Sequence, residues 1–508
     1  MNFIKTILDL LLSIFGGKKK TTKPTTPTVE PPKTVTPPPP PEPTLPPEPE
    51  VQLPDPIPIT EEVMKQTLSL ANYDDHLSAD NYIKPFLKQY HTRISGTKKL
   101  SHMRSGDLFE WVPLRGKPGN SVKALQSFLL HVGLFPPDAE CDGFFGYGTQ
   151  AGVRLFQEYN RIYEGKSTMV PDGVVGKGTW GLMKEWQEAG KKVDKWTRGK
   201  PTADFKRWLG LIENAKKHYL NPANAHLITE TVNKEVAAIN AQPGQQPVDT
   251  FEVKDWTADP MDVHLIGIRR NEDKGGKGRI NDDVFVLLIN GMVFKFWGST
   301  DPKQKDGARQ DEAFLVEGQH KFRFGWHNVS AAKKAKLYQG LNPYQRGVLV
   351  FRDDKITNDN SLTEDDIKKG LDTTPNTTIN IHWTGIGRIG QNDRPTWSVG
   401  CQVLAGESYV DNDGKLRDCS SFAAFGSADI QNNSASNIKK TKGAYNVFTD
   451  LVLLFRPKDV DYIIYTLGRD DTMQIDTLAR LDGGEILVDT LKVLNLPFEI
   501  DPEAAKDA

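Results

Sequence analysis

One phrase occurs twice in this chain, thirty residues apart. Asp142-Gly143-Phe144-Phe145-Gly146-Tyr147-Gly148-Thr149 returns as Asp172-Gly173-Val174-Val175-Gly176-Lys177-Gly178-Thr179, and Trp180 follows the second copy. Glycine at this density marks turns whose backbone enters conformations that other residues avoid. Each copy ends in a threonine that can N-cap the helix after it. Ahead of the first copy, Val122, Leu125, Gln126, Leu129 and Leu130 have the spacing of an amphipathic helix. Between the copies, Val153, Leu155, Phe156 and Tyr159 have it again. The pattern predicts a small three-helix unit with two matched loops over residues 106–190.

The rest of the chain divides by composition. Residues 21–60 hold 16 of the 34 prolines and no aromatic residue. They cannot bury a core, and read as an extended, disordered Pro/Thr-rich linker. Before them, Ile4, Ile7, Leu8, Leu11, Ile14 and Phe15 share one helical face, so residues 1–20 read as an amphipathic helix. The apolar run is too short to span a bilayer. Asp9 at its centre and the lack of a small-residue cleavage site argue against a standard signal peptide. A helix that docks on a membrane surface or a particle component fits better. Residues 61–105 read as a helical lead-in, 191–250 as a helical spacer and linker, and 471–508 as a C-terminal extension. A net charge of −2 gives no electrostatic case for nucleic acid. Three cysteines argue against a disulfide framework.

The repeat resembles the peptidoglycan-binding domain found beside many cell-wall enzymes. That family reads as Leu-Gln on a first helix, Asp-Gly-x-x-Gly-x-x-Thr, Phe-Gln on a second helix, and Asp-Gly-x-x-Gly-x-x-Thr-Trp. Here those elements are Leu125-Gln126, Asp142 to Thr149, Phe156-Gln157 and Asp172 to Trp180. The resemblance implies peptidoglycan as a partner. It makes Asp142, Gly143, Gly146, Thr149, Asp172, Gly173, Gly176, Thr179 and Trp180 the residues of the binding module. Read individually, the same glycines and threonines are turn and cap residues.

From about 255 to 470 the character changes to β. Val263–Ile268, Val284–Ile289, Met292–Trp297, Gly347–Phe351, Thr378–Ile381 and Tyr462–Leu467 are short β-rich runs, and Asn290-Gly291 is a hairpin turn. Helical pieces are expected near 331–340, 363–370 and 443–455. Within this region His382 closes a β-like run, and nineteen residues later Ser398-Val399-Gly400-Cys401 forms a turn of small residues. A thiol attacks as thiolate, and an imidazole is the usual group to generate one near neutral pH. Small residues beside the Cys free its backbone N–H groups to face a reacting carbonyl. A Cys in such a turn can equally be a small buried hydrophobe. His264 and His320 read as structural. Asp411-Asn412-Asp413-Gly414 lacks the distal Glu of a calcium loop and reads as a hairpin turn. No paired-His spacing supports a metal site, and no cofactor is implied.

The β region resembles the L,D-transpeptidase catalytic domain, which carries a His on a strand and then Ser/Thr-His-Gly-Cys followed by Arg or Asn. His382 matches its general base, and Ser398, Gly400 and Cys401 match the nucleophile turn. Val399 and Gln402 depart from the pattern. The wording Trp397-Ser-x-Gly-Cys-Gln-Val is similar to a divergent branch in phage and secreted cell-wall lytic proteins. That branch also has a Gly-x-His turn, a downstream Tyr and an Arg-Asp pair, matched by Gly325-Trp326-His327, Tyr338 and Arg352-Asp353. The resemblance implies Cys401, His382, Ser398 and Gly400 as catalytic residues and His327, Trp383, Trp397, Gln402, Arg352 and Tyr338 as the substrate-binding set. The expected fold is multidomain: a small three-helix peptidoglycan-binding domain followed by a mainly-β L,D-transpeptidase-like catalytic domain. The expected function is a peptidoglycan-targeting cysteine enzyme acting on stem peptides or cross-links through a thioester. A lytic peptidase carried on a phage tail or contractile injection particle fits ahead of two alternatives, a cross-link-forming transpeptidase and a non-catalytic wall-binding structural protein. The expected location is the cell wall, periplasm or exterior.

Overall fold

The computed structural model describes residues 52–69, 119–224, 227–269, 283–300, 302, 313–328, 337–352, 367–368, 370–383, 398, 400–422, 443–457 and 460–469. The expected N-terminal helix, most of the linker, residues 70–105 of the lead-in, Asp353, Trp397, Val399 and the C-terminal extension lie outside the described residues. So do the side chains of Trp326, His327 and Tyr338.

The described α-helices are α1 Glu61–Met64, α2 Asn120–His131, α3 Tyr147–Tyr163, α4 Lys177–Glu188, α5 Ala203–Leu220, α6 Leu227–Asn240 and α7 Ala444–Phe455. The described strands are β1 His264–Arg269, β2 Asp283–Ile289, β3 Met292–Ser299, β4 Ala313–Leu315, β5 Gly318–Asn328, β6 Leu337–Pro343, β7 Val350–Arg352, β8 Ile381–Trp383, β9 Gln402–Val410, β10 Leu416–Asp418 and β11 Ile463–Arg469.

Helices α2, α3 and α4 carry the repeat. In the first copy, the Gln126 side-chain amide donates to Asp142 Oδ1 (2.7 Å) and Phe144 O (2.9 Å), and its oxygen accepts from Gly143 N. Gln157 makes the same three bonds to Asp172, Val174 and Gly173. Gly143 and Gly173 stand at φ 84° and 77°, where a side chain is strained. The threonines do not N-cap. Gly146 and Gly176 occupy the cap positions, and Thr149 and Thr179 lie one turn in, donating back to Phe144 O and Val174 O.

The end of the proline-rich segment is docked rather than free. Ile57 N donates to Ser127 Oγ, Ile59 N to Gln187 Oε1, and Leu68 forms a two-way β-bridge with Val175. Of the predicted helical lead-in, only the four residues of α1 are helical among those described.

The described strands of the β region form two sheets: a nine-stranded one in the order β10-β9-β3-β2-β1-β11-β5-β6-β8, in which β8 pairs back onto β9, and a two-stranded antiparallel one of β4 and β7. Eight strands thus close into a barrel-like ring, with β10 added to the end of β9. The closing pair β8–β9 and the pair β1–β11 are parallel. Alternation along the strands separates two faces. Leu265, Phe285, Leu287, Phe294 and Tyr465 pack on one, and Ile266, Val284, Val286, Leu288 and Trp297 on the other. The hairpin at Asn290-Gly291 has φ 46° and 88°, as a type I′ turn requires. Of the run placed near 331–340 as helical, residues 337–340 are instead the start of β6, and residues 331–336 lie outside the described residues. Strands β4, β5, β9 and β10 lie outside the β-rich runs read from the sequence.

Within residues 191–250, read as a helical spacer and linker, helices α5 and α6 pack on the β region. Phe205, Trp208, Leu209 and Ile212 of α5 pack against Ile266, Val286 and Val293. Val232, Val236 and Ile239 of α6 pack with Phe314, Leu349 and Phe351.

The repeat module also shares a core with the barrel. Every residue of α7 but Leu453 is buried, the pattern of a core helix. Its Asp450 meets Arg154 of α3 in a bidentate pair (both bonds 2.7 Å), fully buried. Beside it, Tyr409 of β9 donates to Glu158 (2.8 Å), which also holds Arg161. Tyr163 and Arg417 converge on Asp411 at the β9–β10 hairpin. That hairpin turn, with Gly414 N donating to Asp411 O, accounts for the Asp-Asn-Asp-Gly sequence.

Candidate functional site

Strand β9 carries the candidate nucleophile turn immediately before its first residue. β8 lies parallel to it with Ile381 level with Gln402, His382 with Val403, and Trp383 with Leu404. Side chains level with one another share a face, and faces repeat every second residue. His382, Val403 and Cys401 therefore emerge on one face, and Ile381, Trp383 and Gln402 on the other. His382 is level with Val403, two residues after Cys401.

The turn is held from several sides. Gly400 has φ 136°, and a Cβ there would come within 2.7 Å of Ala313 O on β4. Ser398 Oγ donates to Cys401 O (2.6 Å). The thiol itself is half-buried and contacts backbone: Asn380 N–H donates to Sγ (3.4 Å), and Sγ donates to Thr378 O (3.5 Å). Burial pushes the Cys401 thiol up to about 11, opposed by the Asn380 N–H and the Ser398 hydroxyl. The resting thiol is thus protonated near neutral pH and needs a base to react. His382 is buried, and its Nδ1 lies 2.9 Å from Trp383 O. A carbonyl only accepts, so Nδ1 carries the proton and Nε2 is the basic nitrogen.

Backbone register relates other predicted positions to neighbouring strands. Gly340 of β6 is level with His382, and His327 of β5 is level with Tyr338 of β6, two positions from Gly340. Arg352 of β7 is level with Ala313, whose carbonyl abuts Gly400, and its guanidinium pairs with Asp372 (2.8 Å). Two residues expected to touch substrate lie on the strand face opposite His382. Trp383 packs in the core. Gln402 is fully buried and bonds to Thr300 O, Gly400 O and Tyr465 inside the barrel. Asn380, Thr378 and Ala313, which touch the thiol or its turn through backbone atoms, carry no side-chain signal that sequence reading could detect.

In the repeat module, Trp180 is buried, with Nε1 donating to Gln66 O, and the Asp and Thr side chains bond to Gln126 or Gln157 and to the backbone of Phe144 or Val174. These residues shape the loops. His264 and His320 are buried and bond to the carbonyls of Asp259 and Val316. Among the described residues no group of three His, Cys, Asp or Glu could hold a metal ion, and no helix is long and apolar enough to cross a membrane.

Residues 118–183 match the family of peptidoglycan binding domains. No curated protein and no solved structure matches the chain. The matched segment is the repeat module, from just before α2 into α4. The chain therefore carries a peptidoglycan-binding domain, consistent with a cell-wall-associated location.

Proposed function

We propose that the chain is a wall-bound cysteine acyl-transfer enzyme of L,D-transpeptidase type, acting on stem peptides or cross-links of peptidoglycan. The observation that carries this reading is the shared face of His382 and Cys401 across the closing β8–β9 pair, beside a turn held open by Gly400. His382 Nε2 takes the Cys401 proton as Sγ attacks the amide carbon. The C–N bond breaks, the amine leaves with the proton from His382, and a thioester remains on Sγ. Water then releases the acyl group in a lytic enzyme, and an acceptor amine releases it in a cross-linking one. The departures at Val399 and Gln402 favour hydrolysis. In this reading residues 1–20 dock on a phage tail or contractile injection particle, and the proline-rich segment spans from carrier to wall.

The engagement of the Cys401 thiol with the backbone of Asn380 and Thr378 favours a second reading, a non-catalytic wall-binding protein. Purified wall sacculi incubated with the protein, followed by mass analysis of released peptides, separate the two. Cys401→Ser should release nothing while still sedimenting with wall, because a hydroxyl is far less nucleophilic than a thiolate. Release by that variant at the unmodified rate would remove the thiol mechanism, and no release by either protein would favour the non-catalytic reading.

A further inference from the structure

A line of buried polar groups crosses the barrel and ends on the nucleophile turn. Tyr465 of β11 donates from its hydroxyl to Gln402 Oε1 (3.0 Å). Gln402 Nε2 donates to Thr300 O (3.0 Å) and to Gly400 O (3.4 Å), one residue before Cys401. Thr300 is fixed in turn, since its N–H and hydroxyl both donate to Asp283 Oδ2 (2.6 and 2.8 Å) and Arg269 donates to its hydroxyl and carbonyl. Tyr465, Gln402 and Thr300 have no exposed surface.

The surrounding strands make room for this line. Gly267 of β1 has no side chain where a Cβ would lie 2.2 Å from the Tyr465 hydroxyl. The Tyr465 ring stacks on Phe285 (centroids 6.2 Å apart, planes 14° apart), which fixes the direction of its oxygen. Gly298 of β3 lets β9 approach, since a Cβ there would lie 2.0 Å from Val403 O. Buried amides cost free energy unless they are bonded, and leucine would fill such a barrel without that cost. A satisfied polar network does what leucine cannot: it selects one position for the groups it bonds. Here that group is the carbonyl of Gly400.

We propose that Gln402, oriented by Tyr465, is a positioning residue that sets the Cys401 turn from inside the barrel. The proposal rests on the cysteine acyl-transfer reading above. It gives the residue after the nucleophile a role opposite to substrate contact, since its side chain points away from the Cys401 face.

The test uses the full chain with Tyr465→Phe and Gln402→Leu. Both are assayed for kcat and KM on stem peptides and, independently of turnover, for the pH profile of Cys401 alkylation by iodoacetamide. Each should lower kcat by about 10- to 100-fold, the scale of a small misplacement of a reacting group, with KM within about twofold. Each should also shift the alkylation profile. A raised KM at unchanged kcat would make Gln402 a substrate ligand and overturn the proposal. Unchanged kcat, KM and alkylation would reduce the line to barrel packing and overturn it as well. Tyr465→Phe removes a single oxygen and carries the test if Gln402→Leu fails to fold. Should Cys401→Ser prove active while the alkylation profile still shifts in both variants, the acyl-transfer reading falls and the positioning of the thiol stands.

Discussion

Replacing Asp450 with leucine should unfasten the repeat module from the barrel. Arg154 and Asp450 are 1% and 0% exposed and joined by two bonds of 2.7 Å, so the loss of one partner leaves a charge enclosed. Around that charge stand the Phe422 ring, 5.9 Å from the guanidinium, and the loop at Gly173, neither of which can replace a carboxylate. Breaking a buried pair in this way costs about 3–5 kcal/mol. Against a total stability of roughly 5–15 kcal/mol that is a large share. The paired replacement Arg154→Leu with Asp450→Leu removes both charges and should restore most of the loss, because the desolvation of the two ions is also removed. The assay is urea unfolding followed by tryptophan fluorescence. Trp180 and Trp186 report from the module, and Trp208 and Trp297 from the barrel. The unsubstituted protein should unfold in one transition, because the two regions share a core, and Asp450→Leu should shift the midpoint down or split the curve. A loss below about 1 kcal/mol for Asp450→Leu, the scale of an exposed pair, would refute the reasoning. So would a double variant as unstable as the single one.

Two further expectations concern the thiol and the hairpin. With the Cys401 thiol pushed up to about 11, its alkylation by iodoacetamide, followed by peptide mass analysis, should rise about tenfold per pH unit from 7 towards 11. A plateau below pH 8 would show a preformed thiolate instead. Gly291→Ala should lower thermal stability by more than about 1 kcal/mol, because alanine resists positive φ and its Cβ would lie 2.8 Å from the Lys200 carbonyl carbon. An unchanged melting temperature would show that the hairpin and the 199–202 segment move apart at little cost.

The sequence by itself determined what depends on near neighbours. The Asp-Gly repeats, the helices they separate, strands β1 to β3 and the Asn290-Gly291 turn are written in spacing and in residues that tolerate unusual backbone. The pairing of His382 with Cys401 as candidates was also legible, because both residue types stand out in a short window. Tertiary structure alone decided the contacts between distant segments. Helix α5 carries helical periodicity, but only the folded sheet shows that its apolar side is buried against Ile266, Val286 and Val293. Gln402 reads as a polar residue beside a nucleophile, and only closure of the barrel turns it inward toward Tyr465, 63 residues away. Arg154 and Asp450, 296 residues apart, look like ordinary helix charges until folding removes both from water together. Local propensity acts over a few residues. The parallel pairs β1–β11 and β8–β9, the buried ion pair and the shared core depend on which segments meet, and short-range patterning carries no record of that.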